Sequence, residues 1–271
     1  MAHLWPMGET RQRRHTRMAQ NRSLKRGLEL LRAYRPGTDL LGNGELAERT
    51  GLPRATVSRL SQTLVAAGFL EHDAVHQAYR LATPILSLGL AMQMSSPLLG
   101  VAAPLMRAAS EHHRCNVGLA TADRDDMVYL ESVRYARRLS LRNVVAGQRI
   151  PIERTSLGRA YLYGLPEDER QPILAAFEAR SPAGSPGYGR EIALAFECIC
   201  TTGYCRASWL PQVTAVAVPI VFDRHPVHAL NMSLTSDMPP ERVAQALSGP
   251  LLDLAERLRL KFAAVAATTN G

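Results

Sequence analysis

Between Glu45 and Leu60 two short helical patterns meet at a glycine. The stretch Glu45-Leu-Ala-Glu-Arg-Thr-Gly51 offers Leu46 and Ala47 to a neighbour and stops at Gly51, a residue suited to a left-handed helix end. Pro53 suits the first turn of a second helix, which runs to about Ala67. On that helix Val57, Leu60 and Leu64 fall within a narrow arc, at about 100° per residue. The opposite arc carries Ala55, Arg59 and Gln62, flanked by Ser58 and Thr63. One packed helix, a tight turn and a second helix presented to solvent have the form of a helix-turn-helix. Small side chains let such a helix enter a groove. Arg59 and Gln62 can reach base edges, Ser58 and Thr56 phosphates, and Arg54 sits at the helix start where it meets the duplex. The bland alternative is an ordinary amphipathic helix with a solvated polar face.

The flanking sequence favours the first reading. Ser23 can cap a helix running to about Tyr34, with Leu24, Leu28 and Leu31 on one face, and Arg35-Pro-Gly37 ends it. Asn43 is positioned to cap the short helix through Thr50, and Gly68 to end the longer one. Residues 69–71 and 79–81 read as two short strands around a polar loop, 72–77, which makes a wing with His76 and Arg80 as phosphate contacts. Charge is uneven. The chain carries 32 Lys+Arg against 24 Asp+Glu, and residues 1–26 hold seven basic residues, Arg22 and Lys25 among them, against one Glu. Residues 27–82 hold six of each sign. A basic arm on a nearly neutral body points to a polyanion, nucleic acid first.

Residues 81–106 contain no charge, long enough for a membrane span. Pro84, Pro97 and Pro104, with Gln93, Ser87, Ser95 and Ser96 between them, argue instead for two amphipathic helices joined near Ser95. The first, 83–94, is apolar over most of its circumference and must be buried by something. Residues 1–18 are Arg-rich with no apolar stretch after them, so no secretory signal, no membrane partner and a cytoplasmic location are expected.

After a helix over 98–113 the pattern changes. Residues 115–121 and 127–133 alternate like strands around a polar turn at 123–126, and 139–144 reads as a third strand. Helices follow at 155–164, 167–179 and 191–202, with a Pro/Gly/Ser-rich loop at 181–189. Residues 213–222 and 227–235 make a β-hairpin, and 240–264 a long closing helix. The fold class is α+β with an antiparallel sheet. Cys198 and Cys200 lie about 200° apart on a helix and do not converge with Cys205, so buried thiols are a simpler reading than a metal or redox site. There is no phosphate-binding glycine loop, no H-E-x-x-H and no G-x-S-x-G, so no catalytic residues, cofactor or metal are assigned.

The stretches Ser23-Leu-Lys-Arg-Gly-Leu-Glu-Leu-Leu31, Glu45-Leu-Ala-Glu, Thr50-Gly-Leu-Pro-Arg-Ala-Thr-Val-Ser-Arg-Leu60 and Ala67-Gly-Phe-Leu70 resemble the winged-helix domain of the IclR family of bacterial transcription regulators. Gly147-Gln-Arg-Ile-Pro151, Thr155-Ser-Leu-Gly-Arg-Ala160, Gly203-Tyr-Cys205 and Ala215-Val-Ala-Val-Pro219 resemble that family's effector-binding domain. The resemblance covers residue 22 to about 265. It implies a GAF-like sensor fold, homodimers through the DNA-binding domains and linker helix, often paired into dimers of dimers, and control of nearby catabolic genes by small metabolites. Two-fold pairing would bury the uncharged helix and fit a palindromic double-stranded operator. The expected organisation is an arm (1–21), a winged helix-turn-helix (22–82), a linker helix (83–97), a GAF-like effector domain (98–266) and a tail (267–271). Two rivals are a small-molecule enzyme with a nucleic-acid-binding appendage and a constitutive architectural DNA binder.

By the same resemblance Leu139, Arg142, Ile150, Ser156, Leu157, Val213, Ala215, Asn231 and Ser233 line the effector cavity. A helix start at Thr155 is a site for an anion, with the Ser156 hydroxyl to hand and Gly158 leaving room near the backbone. Arg142 could pair with a carboxylate in bidentate fashion. The bland alternatives are that Ser156 caps its own helix and Arg142 points to solvent. Asn231 and Ser233 share a strand face and could bind the ligand's other polar end. A small organic acid fits this set. Two features depart from the common family pattern: Pro211-Gln212 stands where many members have Pro-Gly, and the turn at 223–226 is short, with Asn231-Met-Ser233 after it.

Overall fold

The computed structural model describes residues 21–135, 145–180, 187–223 and 225–269. The chain divides into two compact units at Ala82/Thr83, with Arg35–Gly37 grouped with the second.

The first unit opens with α1 (Arg22–Arg32), capped by Asn21, whose side chain accepts from the Leu24 amide at 3.0 Å. The cap is thus Asn21, two residues before the expected Ser23. The buried stripe also differs from expectation. Gly27 and Leu30 are buried and Leu31 packs beside them, while Leu24 and Leu28 are exposed. Four leucines in eight positions satisfy more than one helical stripe, and the neighbouring Tyr34 decides which one turns inward. Its buried hydroxyl donates to the Tyr79 carbonyl at 2.9 Å, and burial raises its pKa to about 12. A two-residue strand, β1 (Leu41–Gly42), leads into α2 (Asn43–Thr50). Asn43 occupies the first helical position and not the cap; the Glu45 carboxylate accepts from the Gly42 amide instead, at 3.2 Å. Gly51, at φ +68°, ends α2 as its sequence context predicts, and Pro53 immediately precedes α3 (Arg54–Ala66). β2 (Leu70–Asp73) and β3 (Ala78–Leu81) follow, and the sheet order is β1-β3-β2, all antiparallel. Leu30, Leu41, Leu46, Val57, Leu60 and Leu70 form one core beneath it.

The second unit begins with α4 (Thr83–Met94), in which no residue is buried. α5 (Pro97–His113) follows, capped by Ser96, and buries Leu98, Leu99, Ala102, Leu105 and Met106. No single helix among the described residues is long and apolar enough to cross a membrane; α4 and α5 reach that length only together and are bent by 82°. Then come β4 (Asn116–Asp123), β5 (Asp126–Val133), β6 (Arg149–Pro151), α6 (Ser156–Gly164), α7 (Glu167–Arg180), α8 (Gly189–Thr202), β7 (Cys205–Leu210), β8 (Val213–Ile220), β9 (His228–Thr235) and α9 (Pro240–Thr269). The strands form a six-stranded antiparallel sheet in the order β6-β5-β4-β9-β8-β7. The edge strands β6 and β7 go beyond the sequence reading, and the strand expected at 139–144 lies outside the described residues.

Strand alternation feeds two cores, one on each face of the sheet. Val117, Leu119, Val216, Val218, Leu230 and Met232 pack with α5 and α9. Ala120, Met127, Tyr129, Ala217 and Ala229 pack with α6 and α8.

Candidate functional site

In the first unit the candidate surface is the outer face of α3. Val57, Leu60 and Ser61 turn inward. Arg54, Ala55, Arg59 and Gln62 are exposed, and Thr56 and Ser58 are half-buried at the edges of the face. Ala55, Arg59 and Gln62 follow the i, i+4, i+7 spacing that makes one ridge along a helix. Neither Arg54 nor Arg59 has an ion-pair partner among the described residues, so both charges are available to a polyanion. Arg22 and Lys25 are exposed on the first turn of α1, on the face away from its buried stripe.

The wing differs from the simple picture of two free cations. Asp73, at the end of β2, accepts from the amides of Val75 (3.0 Å) and His76 (2.9 Å) and contacts the His76 Nδ1 at 3.0 Å through Oδ1. Its Oδ2 accepts from the Arg80 Nη2 at 2.6 Å. Hydrogen bonds from the His76 backbone and ring hold the Asp73 carboxyl down at about 2. His76 and Arg80, the two expected phosphate contacts, are therefore both gathered by one carboxylate. Asp73 escaped the sequence reading, although an Asp opening a polar turn is a known sign of such side-chain-to-backbone bonding.

In the second unit the described effector-site residues fall on neighbouring elements. Ile150 on β6 pairs with Met127, and Ile150 and Leu157 are buried in the apolar core under α6. Ala215 on β8 pairs directly with Ser233 on β9, and Val213 with Thr235. Asn231, 5% exposed, sits between Gly118 and Ala217 in the ladder. Leu139 and Arg142 lie outside the described residues.

The start of α6 is built differently from the expectation. Thr155 caps the helix, accepting from the Gly158 amide at 3.2 Å and donating to the Pro151 carbonyl at 2.8 Å. Ser156 is buried in the first turn, and its carbonyl accepts from the Cys205 thiol at 3.4 Å. Gly158 does not leave room for a ligand. A Cβ there would lie 2.0 Å from the Ile152 carbonyl oxygen, so the glycine serves close backbone packing. Cys205 and Cys115 are buried thiols, raised by burial to about 12 and about 11. Cys198 is half-buried and Cys200 exposed.

Two polar residues of this sheet come together from separate strands, and a third stands just past the end of β5. The Asn231 side chain and the Tyr129 ring meet over Gly118, and burial raises the Tyr129 phenol to about 12. Gly118 makes the meeting possible: a Cβ there would lie 2.4 Å from Tyr129 Cε1 and 2.7 Å from Asn231 Oδ1. Arg134 stands one residue past β5, two beyond the Ser132 that pairs with Gly118, and burial lowers its pKa. Its Nε is buried and makes no hydrogen bond. Tyr129 and Arg134 are absent from the sequence-predicted site. The only local signal for Tyr129 is an aromatic hydroxyl at an inward strand position.

Comparison with known proteins covers both units. Residues 23–74 match the family model of the IclR helix-turn-helix domain, and residues 91–259 that of the bacterial transcriptional regulator IclR C-terminal domain. The chain is 39% identical over 153 residues to the HTH-type transcriptional regulator TsaQ1/TsaQ2 of Comamonas testosteroni; the match spans 56% of this chain and 55%, about half, of that relative. The crystal structure of an IclR family transcriptional regulator from Brucella abortus superposes with a TM-score of 0.80 at 35% identity, covering 90% of this chain and 93% of that one. An IclR homologue from Microbacterium hydrocarbonoxydans, complexed with 4-hydroxybenzoate, shares the fold with a TM-score of 0.64 at 22% identity, covering 88% and 99%.

Proposed function

The chain belongs to the IclR family of bacterial transcriptional regulators, and from that premise we propose that it is a ligand-responsive regulator of a catabolic operon. In this reading a homodimer presents two copies of α3 to a palindromic operator in the cytoplasm. A small organic acid bound by the second unit changes the affinity for that operator. The observation that carries the reading is the α3 ridge, with Arg54 and Arg59 exposed and without an ion-pair partner among the described residues, above a buried Val57–Leu60 stripe. Such a ridge suits groove entry, with Arg59 and Gln62 as base readers and Arg54, Thr56 and Ser58 as phosphate contacts.

Two further observations support it. α4 exposes Leu86 and Leu90 on one side and Leu88 and Met92 on the other, apolar surface that a second copy would cover and that would otherwise promote aggregation. The Microbacterium protein of the same fold is complexed with an aromatic acid. The family is one of DNA-binding regulators rather than enzymes, which removes the enzyme rival. The architectural rival differs in one measurable respect, since it requires an operator affinity that no metabolite alters.

The test is a gel shift with DNA from upstream of the gene itself and of its neighbours. Arg59→Ala or Gln62→Ala should weaken specific binding by about 1–3 kcal/mol for each base contact. Arg54→Ala should weaken all sequences alike and flatten the salt dependence. Retention of full operator affinity by Arg59→Ala would refute the α3 assignment.

A further inference from the structure

The sheet face under α6 is apolar where its neighbours are known: Ala120, Met127, Ala217 and Ala229 are all buried there. Tyr129 and Asn231 interrupt it with a buried hydroxyl and a buried amide that meet across β4 at Gly118. Arg134 lies two residues beyond the Ser132 that pairs with Gly118. Its Nε is shut off from solvent without a hydrogen-bond partner, and no carboxylate among the described residues forms an ion pair with it. A buried donor on a cation is costly to leave unmade, and in folded proteins such groups are paired or hold a ligand. Tyr129, held neutral by burial, cannot supply the missing negative charge but can donate a hydrogen bond.

We propose that Arg134, with the Tyr129 hydroxyl and the Asn231 amide beside it, forms the carboxylate-binding end of the effector site. The proposal rests on the effector reading above and specifies its chemistry. One carboxylate oxygen accepts a charge-assisted hydrogen bond from the Arg134 guanidinium and the other a hydrogen bond from the Tyr129 hydroxyl. One cation flanked by neutral donors fits a monoanion. The alanine-rich strand face next to it, Ala217 and Ala120, fits an apolar body on the same ligand. Gly118 then keeps the β4 backbone low enough for Tyr129 to cross it, so it positions the site without touching the ligand.

The experiment is calorimetry on the full chain with benzoate, 4-hydroxybenzoate and pyruvate, each against its methyl ester. It is joined by operator gel shifts with the same compounds. At least one acid should bind the wild-type protein tenfold or more tighter than its ester and alter operator affinity. Arg134→Gln should remove that preference, weakening the acid at least tenfold and the ester less than twofold; Tyr129→Phe should weaken the acid by a smaller factor. Arg134→Met, which removes a half-buried charge with no ion-pair partner among the described residues, should melt no lower than wild type in the absence of ligand. An acid that still binds Arg134→Gln with wild-type affinity, and still alters operator binding by the wild-type protein, overturns this subsite and leaves the effector reading standing. A melting temperature of Arg134→Met several degrees below wild type also overturns it, because it shows a structural role. If none of the three acids binds or alters operator affinity, the subsite and the organic-acid reading fall together.

Discussion

An alanine in place of a helical glycine ordinarily stabilises, by roughly 0.5–1 kcal/mol, because the unfolded chain loses freedom. Gly158→Ala should do the opposite. The new Cβ would sit 2.0 Å from the Ile152 oxygen, 2.4 Å from its Cα and 2.5 Å from its carbonyl carbon. These are backbone atoms and cannot swing aside. Restoring ordinary contact near 3.5 Å requires α6 to withdraw by about 1–1.5 Å. That shift disturbs Leu157 and Ala160, both buried, and stretches the Thr155 cap, which ties the helix start to Pro151. Overpacking of this kind costs about 1–3 kcal/mol and a weakened cap about 1 more, against the propensity gain. The net loss is about 1–3.5 kcal/mol, or roughly 2–14 °C for a unit of this size. Gly100→Ala in α5 is the control. Nothing lies within 4 Å of its added Cβ, so it should raise the melting temperature by a few degrees. Circular dichroism melts at 222 nm compare the two. A Gly158→Ala protein that melts at or above wild type would refute the claim that α6 rests on the Ile152 backbone.

Burial lowers the His228 pKa from 6.5 to about 4, against a hydrogen bond at Pro226 that raises it, and His225 lowers it further. The folded state therefore disfavours the proton, so stability is full above pH 6.5 and falls as the pH drops toward 4, by about 3 kcal/mol in all. Urea titrations at pH 7 and pH 4.5 should show this loss for wild type and a smaller one for His228→Gln. Gln212 holds φ +59° in the β7–β8 turn, where Pro-Gly is common in the family. Gln212→Val should destabilise by about 1 kcal/mol or more and Gln212→Gly should be neutral or slightly stabilising, as chemical denaturation can measure. Leu86 is exposed on α4, so Leu86→Glu should leave the melting temperature nearly unchanged while light scattering shows the dimer falling apart; a native protein that is monomeric at micromolar concentration would refute the pairing.

What the sequence discloses here follows the range of the forces involved. The α3 ridge is legible because Val57 and Leu60 fix the inward arc and leave Arg59 and Gln62 opposite. Gly51 and Pro53 are legible because backbone geometry alone decides their places. The α1 stripe is not, since Leu24, Leu28, Leu30 and Leu31 permit two faces and only Tyr34 and Tyr79 choose between them. β1 is two residues long and exists because β3 offers it a partner. The role of Gly158 is not legible, because a glycine near a helix start suits a ligand and a close backbone contact equally well until Ile152 is placed. The Tyr129–Asn231–Arg134 group is the extreme case. Asn231 lies about a hundred residues along the chain from Tyr129 and Arg134, and only the register that sets Gly118 opposite Asn231 brings it to Tyr129.

The strand order has a consequence for the protein's birth on the ribosome. β4 and β5 can pair as soon as both are made, but the other flank of β4 belongs to β9. About a hundred residues separate them, and translation at ~5–20 residues per second makes that wait on the order of 5–20 s. Throughout it β4 offers an open edge with Val117 and Leu119 uncovered, and α5 lacks the surface it will share with β9 and α9. The sheet thus closes at its middle and closes late, so a nascent chain that stalls before His228 carries a half-sheet whose free edge can pair with another copy.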